Sequence, residues 1–170
     1  MQSLPHDSLL QLLTEVGISF VGFSMLASVL RPTIGSERVL FFGFRDVAET
    51  SLIATLGSIL PLVLAAFDLS QDLTWRMASG VVGLLFFAGG AASLRRQTLS
   101  VASRGAPKVI ATIGAISILV ALANVAFPSG AHHVLLILLC LTNSALLFLF
   151  SAFNLEYRQT ETHDNKSDSG

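Results

Sequence analysis

The side chains of this sequence that could do chemistry are few, and they cluster most densely at residues 45–51. Arg45, Asp46 and Glu49 are followed directly by Thr50 and Ser51 at the start of a long apolar run. Arg45 and Glu49 are four residues apart, the spacing at which opposite charges pair on a helix. Such a cluster can gate a pathway or dock a partner. The alternative is that these charges mark a membrane boundary and orient the helix.

Glu15 and Arg76 are two further ionisable candidates near the ends of apolar runs. Deep in an apolar run Glu15 would bind a proton or a cation, whereas near an outward helix N-terminus it would lie among lipid headgroups. Arg76 follows Trp75 and lies four residues after Asp72, which favours an interfacial salt bridge with the tryptophan as an anchor. A bond from Arg76 to Glu15 across the bundle is the functional alternative.

Uncharged polar residues lie deeper in the apolar runs. Asn124 and Asn143, the latter between Thr142 and Ser144, are typical of hydrogen bonds between membrane helices, and the sharper alternative is a polar lining for a solute. Pro61 also lies in an apolar run, so the carbonyl four residues earlier loses its helical N–H donor. We expect a kink there, with Ser58 as the compensating donor.

Three histidines and several acids lie in or near the predicted outer loops, but their spacing does not favour a metal site. His132 and His133 are adjacent, whereas metal ligands on a helix are three or four residues apart. Together with His6, Asp7, Asp68 and Asp72 they form at most a site assembled from three loops, and loop solvation is the simpler interpretation. The sequence therefore predicts no catalytic residue, no cofactor and no metal ligand.

Composition assigns these residues to a membrane protein. The 170 residues are 52% hydrophobic and only 12% charged, and the mean hydropathy is +0.71. A soluble domain carries about a quarter charged residues. The net charge of −1 offers no field that would attract nucleic acid, so none is expected as a partner.

Five apolar runs have the roughly 20 residues that a membrane-spanning helix needs. They predict an all-α transmembrane bundle over residues 1–155, with spans at about 9–30, 50–67, 74–94, 109–127 and 134–153. A closed barrel would instead alternate apolar and polar residues, and the run Leu135 to Leu139 does not.

Positive charges predict the orientation, because Lys and Arg accumulate in cytoplasmic loops. An outside N-terminus and five spans place nine of the ten positive charges inside, with Arg76 as the exception. The prediction is an N-out, C-in protein of the bacterial inner membrane.

Two segments lie outside the apolar runs. Residues 36–49 have the charge spacing of an amphipathic helix, which would either lie on the inner surface or extend the second span. Residues 156–170 are polar, which predicts a disordered cytosolic tail.

Function is the least determined property. The leading hypothesis is a non-enzymatic accessory, assembly or homo-oligomeric membrane component, with the lipid bilayer, a second copy or a membrane protein as partner. Its support is the abundance of small residues and the scarcity of functional polar ones. The alternative is an oligomeric small-solute channel or transporter.

Overall fold

Five helices make up the described part of the chain, with no strand among them. The computed structural model describes the backbone of residues 6–29, 37–67, 69–98 and 106–167, and the side chains over 6–27, 44–67, 69–93 and 109–150. The helices are α1 (Asp7–Val29), α2 (Glu37–Ala65), α3 (Gln71–Thr98), α4 (Ala106–Ala126) and α5 (Gly130–Ser167). The prediction of an all-α bundle with five apolar helices is confirmed, since each is long and apolar enough to cross a membrane.

The helix ends follow the punctuation of the sequence, except at α2 and α5. No proline lies between Glu37 and Ser51, and the one glycine there, Gly43, is tolerated inside a helix, so α2 runs unbroken from Glu37 into its apolar part. Residues 37–49 are therefore an extension of the second helix, one of the two alternatives, rather than a separate surface helix. α5 extends to Ser167, so its helical backbone runs through residues that were expected to be disordered from Glu156.

The helices α2, α3, α4 and α5 form a ring in chain order, closed by contact between α2 and α5. α1 packs outside this ring, against α2 and to a lesser extent α5. Across the ring, α2 and α4 make no close backbone contact in the described part of the chain. Space inside the ring therefore lies mainly between α2 and α4.

Small residues allow the close contacts of the ring. A Cβ added at Gly83 on α3 would lie 2.7 Å from the Cβ of Ala121 on α4. Such an approach is shorter than van der Waals contact, so the helix separation here requires glycine.

Exposed apolar side chains cover the outside of the bundle. Leu84 is 68% exposed, Leu119 65% and Phe23 63%. Many of the fully buried side chains are polar, among them Ser51, Ser58 and Asn124. An apolar exterior around a partly polar interior is the arrangement expected of a bundle whose solvent is lipid.

Candidate functional site

A cavity of about 290 Å³ lies between α2 and α4, at the end of the bundle where α2 begins. We call it the carboxylate cavity. Its polar lining comes from Asp46, Glu49 and Thr50 on α2, Ser93 on α3 and Asn143 on α5. The remaining wall is apolar and includes the aromatic rings of Phe86 and Phe87.

Asp46 is the most buried charged residue of the cavity, at 6% exposure. The hydroxyl of Ser93 donates to Asp46 Oδ2 at 2.6 Å, which joins α3 to α2. Arg45 and Glu49 form the predicted pair, with Arg45 Nε donating to Glu49 Oε1 at 2.7 Å. The structure thus places Asp46, Glu49 and Thr50 of the predicted cluster in the wall of one cavity, whereas Arg45 is bound to Glu49 and is not among the lining residues.

Asn143 lines the cavity from α5 and is 5% exposed. Its side-chain oxygen Oδ1 is buried and has no hydrogen-bond partner in the described part of the chain. Interhelical hydrogen bonding, the ordinary use predicted for this residue, is therefore not what this oxygen does. It belongs to the polar lining of the cavity.

Neighbouring hydroxyls fix the position of Asn143 relative to Asp46. Ser51 and Ser144 lie 2.8 Å apart, oxygen to oxygen, and Ser144 also donates to the carbonyl of Val47 at 3.3 Å. These bonds clamp α2 against α5 one residue from Asn143. They set the register in which the carboxylates of α2 and the amide of α5 face one space.

A second polar cluster, the histidine network, lies ten residues earlier along α5, about 15 Å away at 1.5 Å per residue. It consists of Gly57, Ser79, Asn124 and His133. Asn124 Nδ2 donates to Ser79 Oγ at 2.6 Å, and Ser79 Oγ lies 2.8 Å from His133 Nδ1. His133 Nε2 lies 2.9 Å from the carbonyl oxygen of Gly57.

The network assigns each hydrogen without conflict. A carbonyl only accepts, so His133 Nε2 donates to Gly57, and Nδ1 of the neutral ring accepts from the hydroxyl of Ser79. Asn124 Oδ1 accepts from the backbone N–H of Ser129 at 2.7 Å, which fixes the turn between α4 and α5. The predicted interhelical hydrogen bonding of Asn124 is confirmed.

Pro61 leaves a backbone carbonyl of α2 without its helical hydrogen bond, and His133 supplies a replacement. The carbonyl of Gly57 lacks its helical donor because proline at the fourth following residue has no N–H. Ser58 was expected to compensate, but its hydroxyl donates to the carbonyl of Ala54 at 2.9 Å. The missing bond is supplied from α5 by His133 instead.

His133 and Trp75 correct two expectations. His133 is fully buried rather than a loop residue, because α5 begins at Gly130 and places it in the first turn. Trp75 is 2% exposed rather than an interfacial anchor, and its ring centroid lies 5.5 Å from that of His133. The orphaned carbonyl was visible in the sequence, but its partner 76 residues away was not.

Glu15 and Arg76 join neither cluster. Both are exposed, Glu15 on α1 and Arg76 on α3. Among the described residues the structure records a single ion pair, that of Arg45 and Glu49, so the expected Asp72–Arg76 salt bridge does not form. An exposed salt bridge contributes little free energy, so the four-residue spacing of Asp72 and Arg76 is not enough to hold the two side chains together.

The possible metal site at the outer loops is also not formed among the described residues. Within the described residues no group of three His, Cys, Asp or Glu side chains is close enough to hold a metal ion. Asp68, one of the residues considered for it, lies outside the described residues.

Comparison of the chain with protein-family models, curated proteins and solved structures finds no match.

Proposed function

We propose that this chain is a non-enzymatic component of the bacterial inner membrane that acts as a homo-oligomer assembled through α1. The observation that carries the proposal is a polar stripe on α1, formed by Gln11, Glu15, Ser19 and Gly22. All four residues are exposed, and they recur at spacings of four, four and three residues. They therefore share one face of a helix that is apolar enough to cross a membrane.

The stripe points away from the rest of the bundle. α1 packs against α2 and α5 through its other face, where Leu10 and Leu13 are buried. In a lone copy the amide of Gln11 and the carboxylate of Glu15 would face lipid, where polar groups are costly. A second copy removes that cost by supplying hydrogen-bond partners.

A two-fold axis along α1 makes the stripe complementary to itself. In two parallel copies, the Gln11 amide of one donates to the Glu15 carboxylate of the other, and the bond occurs twice. In the described part of the chain nothing lies within 4 Å of a Cβ added at Gly22, so its surface is open to a second helix. Glycine at such a contact lets two backbones approach closely.

The N-out, C-in orientation is part of the proposal, and the placement of positive charge supports it. Nine of the ten Lys and Arg residues fall on one side of a five-span chain. Reporter fusions at Asp72 and at the C-terminus should give opposite sides. Two fusions reporting the same side would refute the orientation.

The oligomer is tested by the mass of the purified full-length protein in a mild detergent, by light scattering or native mass spectrometry. We expect two or more copies for the unaltered chain and one copy for Glu15→Leu combined with Gln11→Leu. Asp72→Leu is the matched control, because it removes an exposed carboxylate that is not on α1, and it should keep the oligomer. A strictly monomeric unaltered chain would refute the proposal.

A small-solute channel or transporter is the second candidate, and the carboxylate cavity favours it. Buried polar side chains in a membrane bundle often mark a binding site or a solute path. Specific uptake or efflux that disappears in Asp46→Leu, while the protein level stays normal, would support this candidate over assembly alone.

A further inference from the structure

The carboxylate cavity combines hydrogen-bond acceptors with an apolar wall. Asp46 and Glu49 present carboxylates, and Asn143 presents a carbonyl oxygen. No Lys, Arg or His is among the cavity-lining residues that the structure describes. A ligand of this space must therefore bring donors. Glu49 is already paired with Arg45, so the buried carboxylate of Asp46 is the charge in the lining that favours a positive ligand.

We propose that the carboxylate cavity binds the primary ammonium group of an amphiphile with an apolar tail. The side-chain oxygen of Asn143 is the strongest indication. Asn143 is only 5% exposed, and its Oδ1 atom is buried with no hydrogen-bond partner in the described part of the chain. Buried polar atoms are nearly always hydrogen-bonded, so an acceptor left open beside a cavity indicates a missing donor.

An ammonium group supplies three donors from one point. One N–H would donate to Asn143 Oδ1, and the others would donate to the carboxylates of Asp46 and Glu49, which also accept from Ser93 and Arg45. The positive charge of the ligand also favours the aromatic faces of Phe86 and Phe87, because ring quadrupoles attract cations. A quaternary ammonium has the charge but no donor, so it would leave Asn143 unsatisfied.

The apolar wall selects the rest of the ligand. Ile53, Ile110, Ile118 and Leu147 line the cavity and would contact a hydrocarbon chain. Phe87, which is 59% exposed, and the exposed residues Ala111 and Ala115 extend the lining to the surface of the bundle between α3 and α4. A tail can therefore reach into the bilayer while the ammonium stays inside.

Two sources of this chemistry exist in a membrane, a free alkylamine and the amine of an ethanolamine headgroup. The proposal concerns the ammonium that they share. It goes beyond assembly through α1, because the cavity belongs to a single chain and would bind in a monomer as well.

Octylammonium is the probe, titrated into the full-length protein in lipid nanodiscs made of phosphatidylcholine, with binding followed by calorimetry. We expect saturable binding that is about tenfold or more tighter than that of octyltrimethylammonium, because a hydrogen bond to a charged group is lost in the latter. Octanesulfonate should not bind at the same site. Equal affinities for the three probes would overturn the proposal.

Variants assign the binding to the cavity. Asn143→Leu keeps the size of the side chain and removes the acceptor, and it should weaken octylammonium binding about tenfold or more. Gly114→Leu keeps every polar group and fills space beside Phe86, whose Cε1 lies 3.6 Å from an added Cβ, so it should also weaken binding. Asp72→Asn, which removes an exposed carboxylate that is neither in the cavity nor on α1, should bind as the unaltered chain does.

Folding is monitored separately, by circular dichroism and a monodisperse elution. Both cavity variants folded with unaltered binding would refute the proposal. In nanodiscs that contain phosphatidylethanolamine, weakened octylammonium binding would identify the headgroup amine as a competing occupant, and unchanged binding would identify the free amine. An oligomeric mass with no ammonium binding would overturn only the cavity proposal, and binding by a monomer would overturn only the assembly proposal.

Discussion

The bond from His133 to the carbonyl of Gly57 should depend on Pro61. His133→Phe keeps an aromatic ring against Trp75 but removes both of the hydrogen bonds that the imidazole makes. Pro61→Ala returns a backbone N–H that can bond Gly57 within α2. With that N–H present, the carbonyl of Gly57 keeps a hydrogen bond when His133 is replaced, so the substitution leaves one fewer buried group without a partner.

The expected magnitude follows from the number of bonds broken. Hydrogen bonds in membrane bundles contribute ~0.6 to 2 kcal/mol each, and a buried group left without a partner costs ~1 to 3 kcal/mol. His133→Phe breaks two bonds and should lower the free energy of unfolding by about 2 to 4 kcal/mol. In the Pro61→Ala background the same substitution should lower it by about 1 to 2 kcal/mol less.

The double-mutant cycle compares the unaltered chain, His133→Phe, Pro61→Ala and the variant with both substitutions. Each is unfolded with a denaturing detergent and followed by far-UV circular dichroism. Tryptophan fluorescence is unsuitable because Trp75 contacts position 133 directly. The neighbouring His132 is exposed, so His132→Phe is the control and should leave stability nearly unchanged. Additive effects of the Pro61 and His133 substitutions would refute the compensation.

Three further outcomes are expected from the packing. Gly83→Ala should lower the free energy of unfolding by about 1 to 3 kcal/mol because the added Cβ would overlap Ala121. Gly90→Ala is the control and should have little effect, because no described atom lies within 4 Å of its added Cβ. Equal effects of the two substitutions would contradict the α3/α4 contact. Cys140 is fully buried, so a maleimide should label it only after unfolding, and rapid labelling of the folded protein would contradict its position. Arg45→Ala removes an exposed ion pair and should change the free energy of unfolding by less than about 1 kcal/mol, and a larger loss would assign the pair a structural role.

The helices were largely predictable from the sequence because the thickness of the bilayer sets the length of an apolar helix that crosses it. Residues such as Pro128 and Gly130 mark the turn between the last two helices, and apolar runs of about 20 residues set their number. The four-residue spacing of Arg45 and Glu49 predicted their pair, because this contact is local to one helix.

The two polar clusters were not predictable as clusters, because each depends on the register between helices. Asp46 and Asn143 are far apart in sequence, and only the packing of α2 against α5 brings both to one cavity. His133 is adjacent to a turn in sequence, so its burial depends on α5 beginning at Gly130. Pattern arguments locate such groups along a helix but do not pair them across the bundle.

The central claim is that the polar stripe of α1 meets a second copy in the bilayer, and cross-linking in native membranes tests it most directly. In a Cys140→Ala background, Ser19→Cys places a thiol on the stripe, and Leu119→Cys places one on the exposed face of α4. Oxidation should give a covalent dimer with Ser19→Cys and none with Leu119→Cys. A dimer that forms only through position 119, or no dimer through position 19, would contradict the account.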